Sequence, residues 1–569
     1  MESFASRLWA LDAARRLGLR PVALAAWHRG PVARHLARRA LADRAIPSGP
    51  FWPEQLPPPS PSLPRAHRAA VLELAAATLP GDWHGPFPPD APAAGLDLFG
   101  PGDVRPVWER NRWAALPLLA QAARLDPDGG HRGRAEALLA DWTARNPPYR
   151  GPNWACGQEA ALRALHLALA LGLLEAEPPA GARALLALHA RRIAATPAHA
   201  LAQDNNHPVS EAAGLLACGI LLGEPGWIVT GEARLAAALR RVVAPDGGFA
   251  QLSTGYHRLL LDVFSTIEWL RRRHGLVPDA ADLALVRWLH RLVEPTTGAT
   301  PRLGHQDGSA FADLSLAGPD DARPSLERAA RLLAGRSAGV DADPGCTWLG
   351  LPAGPPLPAP ETAWTAGGLR GWRQGTARGV LRVGPLRFRP AHADLLHFDL
   401  WDGPLNLLRD GGTGSYNPWQ PDLWGTAGHN TVEFDGQDQM PAVSRFLFAR
   451  WPRCGPLPQG GWLRDHRGNR QERRVQVAGR RWRVEDRLAG PWRYAALHWR
   501  LAPGDWALTA DGAAGPFGRL RISADGPLQF ALRQGSESSA YGVLRPVPVL
   551  VARLPSPATW LETLVELPD

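Results

Sequence analysis

The sequence predicts a multidomain α+β chain: a bundle or incomplete toroid of helices, followed by an antiparallel β-sandwich. Three observations carry this. A length of 569 residues at 45% hydrophobic content exceeds what one ordinary core holds and is far too apolar for disorder. From about residue 107 to 335, apolar Ala and Leu recur at helical spacing, broken by short Gly/Pro/Asp turns. Beyond a Pro/Gly/Ala-rich stretch at 341–365 the pattern changes to short alternating runs.

The periodicity places helices at 107–124, 132–145, 156–173, 181–195, 209–222, 231–243, 256–273 and 280–293. No such helix pair buries its apolar face alone, so the pairs stack side by side. Strand-like runs cover 379–383, 395–400, 430–434, 473–477 and 481–484, with Ala478-Gly479 as a hairpin turn between the last two. The expected division is an N-terminal extension at 1–100, helices at 101–340, a linker at 341–365 and the sandwich at 366–569.

Composition narrows the chemistry. The net charge of +9 rests on arginine alone, because the chain has no lysine, and this excludes a Schiff-base lysine and a lysine-bearing phosphate loop. The arginines read either as a codon habit or as guanidinium groups for an anionic partner, and their scatter argues against nucleic acid. Cys156, Cys218, Cys346 and Cys454 stand too far apart for a paired metal motif. No apolar run reaches the roughly 20 residues of a membrane span. Arg7, Asp12, Arg15, Arg16 and Arg20 interrupt the start, so no export leader is read there and the expected compartment is the cytoplasm.

Three polar constellations remain. Asp204-Asn205-Asn206-His207-Pro208 stands directly before an apolar helix, with Pro208 suited to a first turn. Free N–H groups and the helix dipole there favour an anion such as a uronate carboxylate; the plainer reading is a capped helix with a packed His207. Gln251 to Arg258 opens another helix and gathers Tyr256, His257 and Arg258, a proton donor or acceptor beside an anion clamp, unless Tyr256 is a core aromatic. Farther on come His392, Asp394, Asp410 and His429, and two imidazoles with a carboxylate make an adequate zinc set. Of 24 tryptophans, Trp108, Trp154, Trp401 and Trp419 flank these motifs and offer faces to sugar rings, against the alternative of core packing.

Taken in order, the motifs resemble the heparinase II/III-like polysaccharide lyases. The helical part of the resemblance rests on Asp103-Val104-Arg105 with Trp108-Glu109 and Asn111-Arg112, Asn153-Trp154 with Glu159 and Arg163, Asn205-Asn206-His207 with Ser210-Glu211, and Tyr256-His257-Arg258. In the β region it rests on His392-Ala393-Asp394, Asp410-Gly411-Gly412-Thr413 and Gly428-His429-Asn430-Thr431-Val432. It implies an incomplete α/α toroid followed by a β-sandwich, an active site in the cleft between them, and β-elimination on an acidic, uronate-containing polysaccharide or oligosaccharide. By position, Asn206 with His207 neutralises the uronate carboxylate, and Tyr256 serves as base, acid or both. His392, Asp410 and His429 match the positions of a mainly structural zinc; no organic cofactor is implied. Trp108, Asn111, Arg112, Trp154, Glu159 and Arg258 are the expected substrate contacts. Relatives that are exported make the periplasm or cell envelope the alternative compartment.

The chain departs from the family pattern in two places. Pro390 stands where many members carry a histidine, and Asp422 aligns with a family tyrosine, which leaves Tyr416 as the nearest candidate. His392 and His397 face opposite sides if their strand is regular. Two rival readings stand beside the lyase. One is a glycoside hydrolase using Glu109, Glu159, Glu211 or Asp307, although Arg163 one turn from Glu159 favours an ion pair there. The other is a non-catalytic glycan-binding or exopolysaccharide assembly protein, which Pro390 keeps open.

Overall fold

The computed structural model describes residues 4–278, 282–340 and 342–569. Its helices are α1 (Phe4–Leu17), α2 (Leu19–Arg29), α3 (Pro31–Ala40), α4 (Arg65–Ala76), α5 (Val104–Arg110), α6 (Ala115–Leu125), α7 (His131–Arg145), α8 (Gly157–Leu173) and α9 (Ala180–Ala195). They continue with α10 (Pro197–Leu201), α11 (His207–Leu222), α12 (Pro225–Val242), α13 (Thr254–Arg273), α14 (Leu283–His290), α15 (Arg323–Leu333) and α16 (Pro344–Trp348). Helices α8 and α11 are buried around nearly their whole circumference and form the centre of the toroid. Small residues let them close up: a Cβ on Gly214 would lie 2.6 Å from that of Ala161.

The helix expected at 107–124 is two helices, α5 and α6. The chain turns at Trp113, whose φ of 64° no helix accommodates, as Asn111 and Arg112 are drawn into the interior. The helix expected at 280–293 is α14, and residues 279–281 lie outside the described ones. The first hundred residues are not an appended extension. Helix α4 packs on α6, and Phe51, Trp52, Val71 and Trp83 belong to the same apolar core as Leu116 and Leu165.

Four antiparallel sheets follow the helices among the described residues, the smallest a two-stranded ribbon of Ala442–Ser444 and Leu447–Phe448. Five strands between Ala363 and Leu408 run in sequence order. An eight-stranded sheet includes Arg470–Ala478 and Arg481–Ala489, paired in a register that sets Val475 opposite Val484 and closes Ala478 on Arg481. That tight turn passes through Gly479 at φ 58°, where glycine is free of a Cβ clash. A four-stranded sheet joins Val432–Phe434 to Tyr494–Arg500. Trp482 of the larger sheet fills the space over Gly379 of the five-stranded one, where a Cβ would come within 2.6 Å of the indole.

One apolar seam joins helices to sheets. Leu252, Trp288, Leu292 and Leu303 cluster with Trp364, Ala366, Leu369 and Val380. Through Leu252 the seam ties the start of α13 to the first strands of the sandwich.

Candidate active site

A cleft of about 490 Å³ opens between the helical and sheet regions. Helix α5 presents Arg105 and Trp108 to it, α8 presents Gln158 and Glu159, α11 presents His207, α13 presents Tyr256, and the sandwich contributes Arg389, Pro390 and Tyr416. A second cavity of about 370 Å³ adjoins it and shares Tyr256, His305, Asp307 and Ser309.

At the junction, two phenols meet one carboxylate. Ser253 caps α13 by accepting the Tyr256 N–H at 3.1 Å and donates its own hydroxyl to the His305 carbonyl at 2.6 Å, which ties the helix start to the loop bearing His305 and Asp307. Tyr256 then donates its hydroxyl to Asp307 Oδ2 at 2.5 Å, and Tyr416, from the sandwich, donates to the same oxygen at 3.0 Å. Arg105 Nε lies 3.2 Å from that oxygen. Burial alone would raise the Asp307 pKa, but Arg105 and the Tyr256 hydroxyl outweigh it and hold the carboxyl well below the usual range. Burial, then the Asp307 charge, push both phenols upward. Arg258 does not lower Tyr256: its guanidinium is turned to Ser325 and the Pro319 carbonyl, on the side of the second cavity.

Asn206 and His207 take different places. Asn205, not Asn206, steadies the start of α11, accepting the His207 N–H at 3.0 Å. Asn206 lies one layer behind the cleft, its Nδ2 donating to Gln158 Oε1 at 3.0 Å, and among the described residues its Oδ1 has no partner. His207 lines the cleft, and burial lowers its pKa to about 4, so the ring is neutral. The Gln203 amide nitrogen, which can only donate, lies 3.3 Å from both His207 Nδ1 and His199 Nε2. Nδ1 of His207 therefore accepts, and Nε2 carries the proton.

Of the expected substrate contacts, Trp108 and the Arg112–Glu159 pair line the cleft. Arg112 grips Glu159 through two bonds of 2.8 Å, so Glu159 pairs with Arg112; Arg163 is held by His189 and the Asn153 carbonyl instead. Asn111 is buried, bonding the Trp83 and Val107 carbonyls and the Trp142 indole, and Trp154 packs against Trp142 and Tyr149; both are core, not substrate platforms. Trp401 is buried beneath Arg378. Sequence reasoning missed Arg105, Gln158 and His305, and weighed Asp307 only as a hydrolase acid. The one available signal was the polar run His305-Gln306-Asp307-Gly308-Ser309 after a long succession of apolar helices.

The structure gathers His392, Asp410 and His429, all buried, with one ligand atom from each within 4.8 Å of the others. His429 Nδ1 contacts Asp410 Oδ2 at 2.9 Å, and Asp410 Oδ1 accepts the Gly412 N–H. Among the described residues, neither ring nitrogen of His392 has a hydrogen-bond partner, nor has His429 Nε2. Buried imidazole nitrogens without partners, beside a carboxylate, are the donor set a divalent zinc ion takes. His397 does not face away. The chain turns at Leu396, φ 60°, and brings His397 Nε2 to 3.7 Å from Asp410 Oδ2.

The C-terminal region, residues 356–541, matches the family described as heparinase II/III-like, C-terminal. Among solved structures, the chain resembles a heparinase III with a TM-score of 0.65 at 13% identity, covering 97% of this chain and 92% of that one. A second heparinase III superposes with a TM-score of 0.58 at 16% identity over 99% and 93% of the two chains. A heparan sulfate lyase from Pedobacter heparinus gives 0.53 at 17% identity over 94% and 88%. No curated protein matches the sequence. Residues 356–541 thus resemble the heparinase II/III-like C-terminal family, and the chain as a whole shares the fold of the heparinase III structures, an α/α toroid joined to a β-sandwich.

Proposed function

We propose that this protein is a polysaccharide lyase that cleaves an acidic, uronate-containing polysaccharide or oligosaccharide by β-elimination. The observation that carries the reading is the convergence of Tyr256 and Tyr416, one from each domain, on the ionised Asp307 beside Arg105. In elimination a base takes the C5 proton, the C4–O bond breaks, the leaving oxygen takes a proton from an acid, and a C4–C5 double bond remains. Tyr256 keeps its proton at working pH and suits the acid. His305, lowered by burial to about 4 and hence neutral, has an Nδ1 without a partner among the described residues and suits the base. The His207 Nε2–H and the Arg105 guanidinium, whose Nη1 is likewise unpaired among the described residues, suit the uronate carboxylate and the charge that develops on it. Heparan sulfate lyase, which shares the fold, is a lyase by name.

The hydrolase reading needs a protonated carboxylic acid at the scissile bond. Glu159 and Asp307, both in the cleft, are instead held as carboxylates, because Arg112 and Arg105 respectively outweigh the burial that opposes their ionisation, while Glu211, which burial keeps protonated, and Glu109 do not line the cleft. We also assign zinc to His392, Asp410 and His429, where it would tie the sandwich loops together. The reading is tested with a uronate polymer and its carboxyl-reduced form. Cleavage of the first alone is expected, because elimination needs the carboxylate to acidify C5; equal cleavage of the reduced polymer contradicts it.

A further inference from the structure

Helices α1, α2 and α3 carry a face that the lyase reading does not use. Residues 1–44 hold nine arginines against three acidic residues, a net of +6 in a chain whose total is +9. Of the sixteen large apolar side chains exposed among the described residues, seven lie on these three helices, with Leu19 91% and Leu11 69% exposed. They recur one turn apart: Leu8 with Leu11, Leu19 with Val22, Val32 with Leu36. The helices meet the rest of the molecule through other residues, Ala13, Pro21 and Ala37 turning inward.

Arginine alone would suit any polyanion. A nucleic acid or an acidic glycan, however, is a hydrated polymer and gains nothing from Leu11 or Leu19. A bilayer surface takes both kinds of side chain: the apolar ones enter the boundary of the acyl chains, while the guanidinium groups reach back to the phosphates. We propose that α1–α3 form a peripheral docking face for a membrane surface rich in anionic phospholipid. No described helix is long and apolar enough to cross a membrane, so the contact lies along the surface. Ala25, His28 and Arg29 of α2 also line the cleft, so docking sets the cleft mouth beside the bilayer.

The test uses the full chain and vesicles of phosphatidylcholine, alone or with about one-third phosphatidylglycerol. Co-flotation is expected with the anionic vesicles only, weakening as salt is added. Combining Leu11→Glu, Leu19→Glu and Leu36→Glu, all on exposed side chains, is expected to reduce it by about tenfold or more with the thermal transition unchanged. Arg38→Glu with Arg39→Glu tests the charge separately should the first variant fail to fold. Absence of co-flotation with anionic vesicles overturns the proposal, as does binding that both variants leave intact. A wild-type dimer that the leucine changes split, without vesicle binding, assigns the face to a second copy. Retention on immobilised heparin without vesicle binding assigns it to a soluble polyanion.

Discussion

Tyr256 and Asp307 decide what the phenol does. With the carboxylate 2.5 Å from its hydroxyl, Tyr256 cannot idle as a phenolate, so in the proposed elimination its part would be to give a proton. Tyr256→Phe removes only that hydroxyl and should lower kcat by about 100- to 10,000-fold with the fold intact. Activity should also fall as pH drops toward about 4, where His305 and His207 take up protons, with no tyrosine limb below about pH 10. A pH profile of kcat with an acid limb near neutrality would contradict this. Glu211 offers a stability test. Burial raises its carboxyl to about 8 despite Arg192 and Arg234. A raised acid holds its proton longer in the folded state, so stability is greatest below the unfolded value near about 4.3 and declines as pH climbs toward about 8. Glu211→Gln should abolish that decline and stabilise the protein by about 1–3 kcal/mol at pH 8, read from denaturant titrations at both ends of the range. At this scale the sequence was legible for residue types but not for partners. Arg258 neighbours Tyr256 in the chain yet turns away, whereas Arg105 and Asp307 reach it from distant segments.

The elements show why spacing along a chain misleads at loops. His392 and His397 would face apart on a strand, but the segment turns at Leu396 and the strand begins only at Phe398. Both imidazoles then fall near Asp410. Elemental analysis of protein prepared without chelator should find about one zinc per chain, and His429→Ala should lose it together with thermal stability. Protein without metal, equally stable with and without His429, would remove the site. Long helices such as α8 and α13 were legible because their apolar periodicity is unbroken. The break between α5 and α6 was not, because it arises from Asn111 and Arg112 finding buried partners in other segments.

Across the whole molecule, the order of helices then sheets follows from where the periodicity changes, and the family motifs pointed to a cleft between the two. What they did not reveal is how that cleft is assembled. Phe51, Trp52 and Trp83 join the toroid core from the supposed extension, and α1 and α2 span from α10 to Trp451 of the sandwich. Catalysis on this account needs both domains, since Asp307 stands on one and Tyr416 on the other. The most direct test of that account is the ultraviolet spectrum of the products released from a uronate polymer. Elimination leaves a C4–C5 double bond conjugated to the carboxylate, so absorbance should rise in step with new chain ends for the wild type and stay flat for Tyr256→Phe. New reducing ends without absorbance would show hydrolysis and contradict the account.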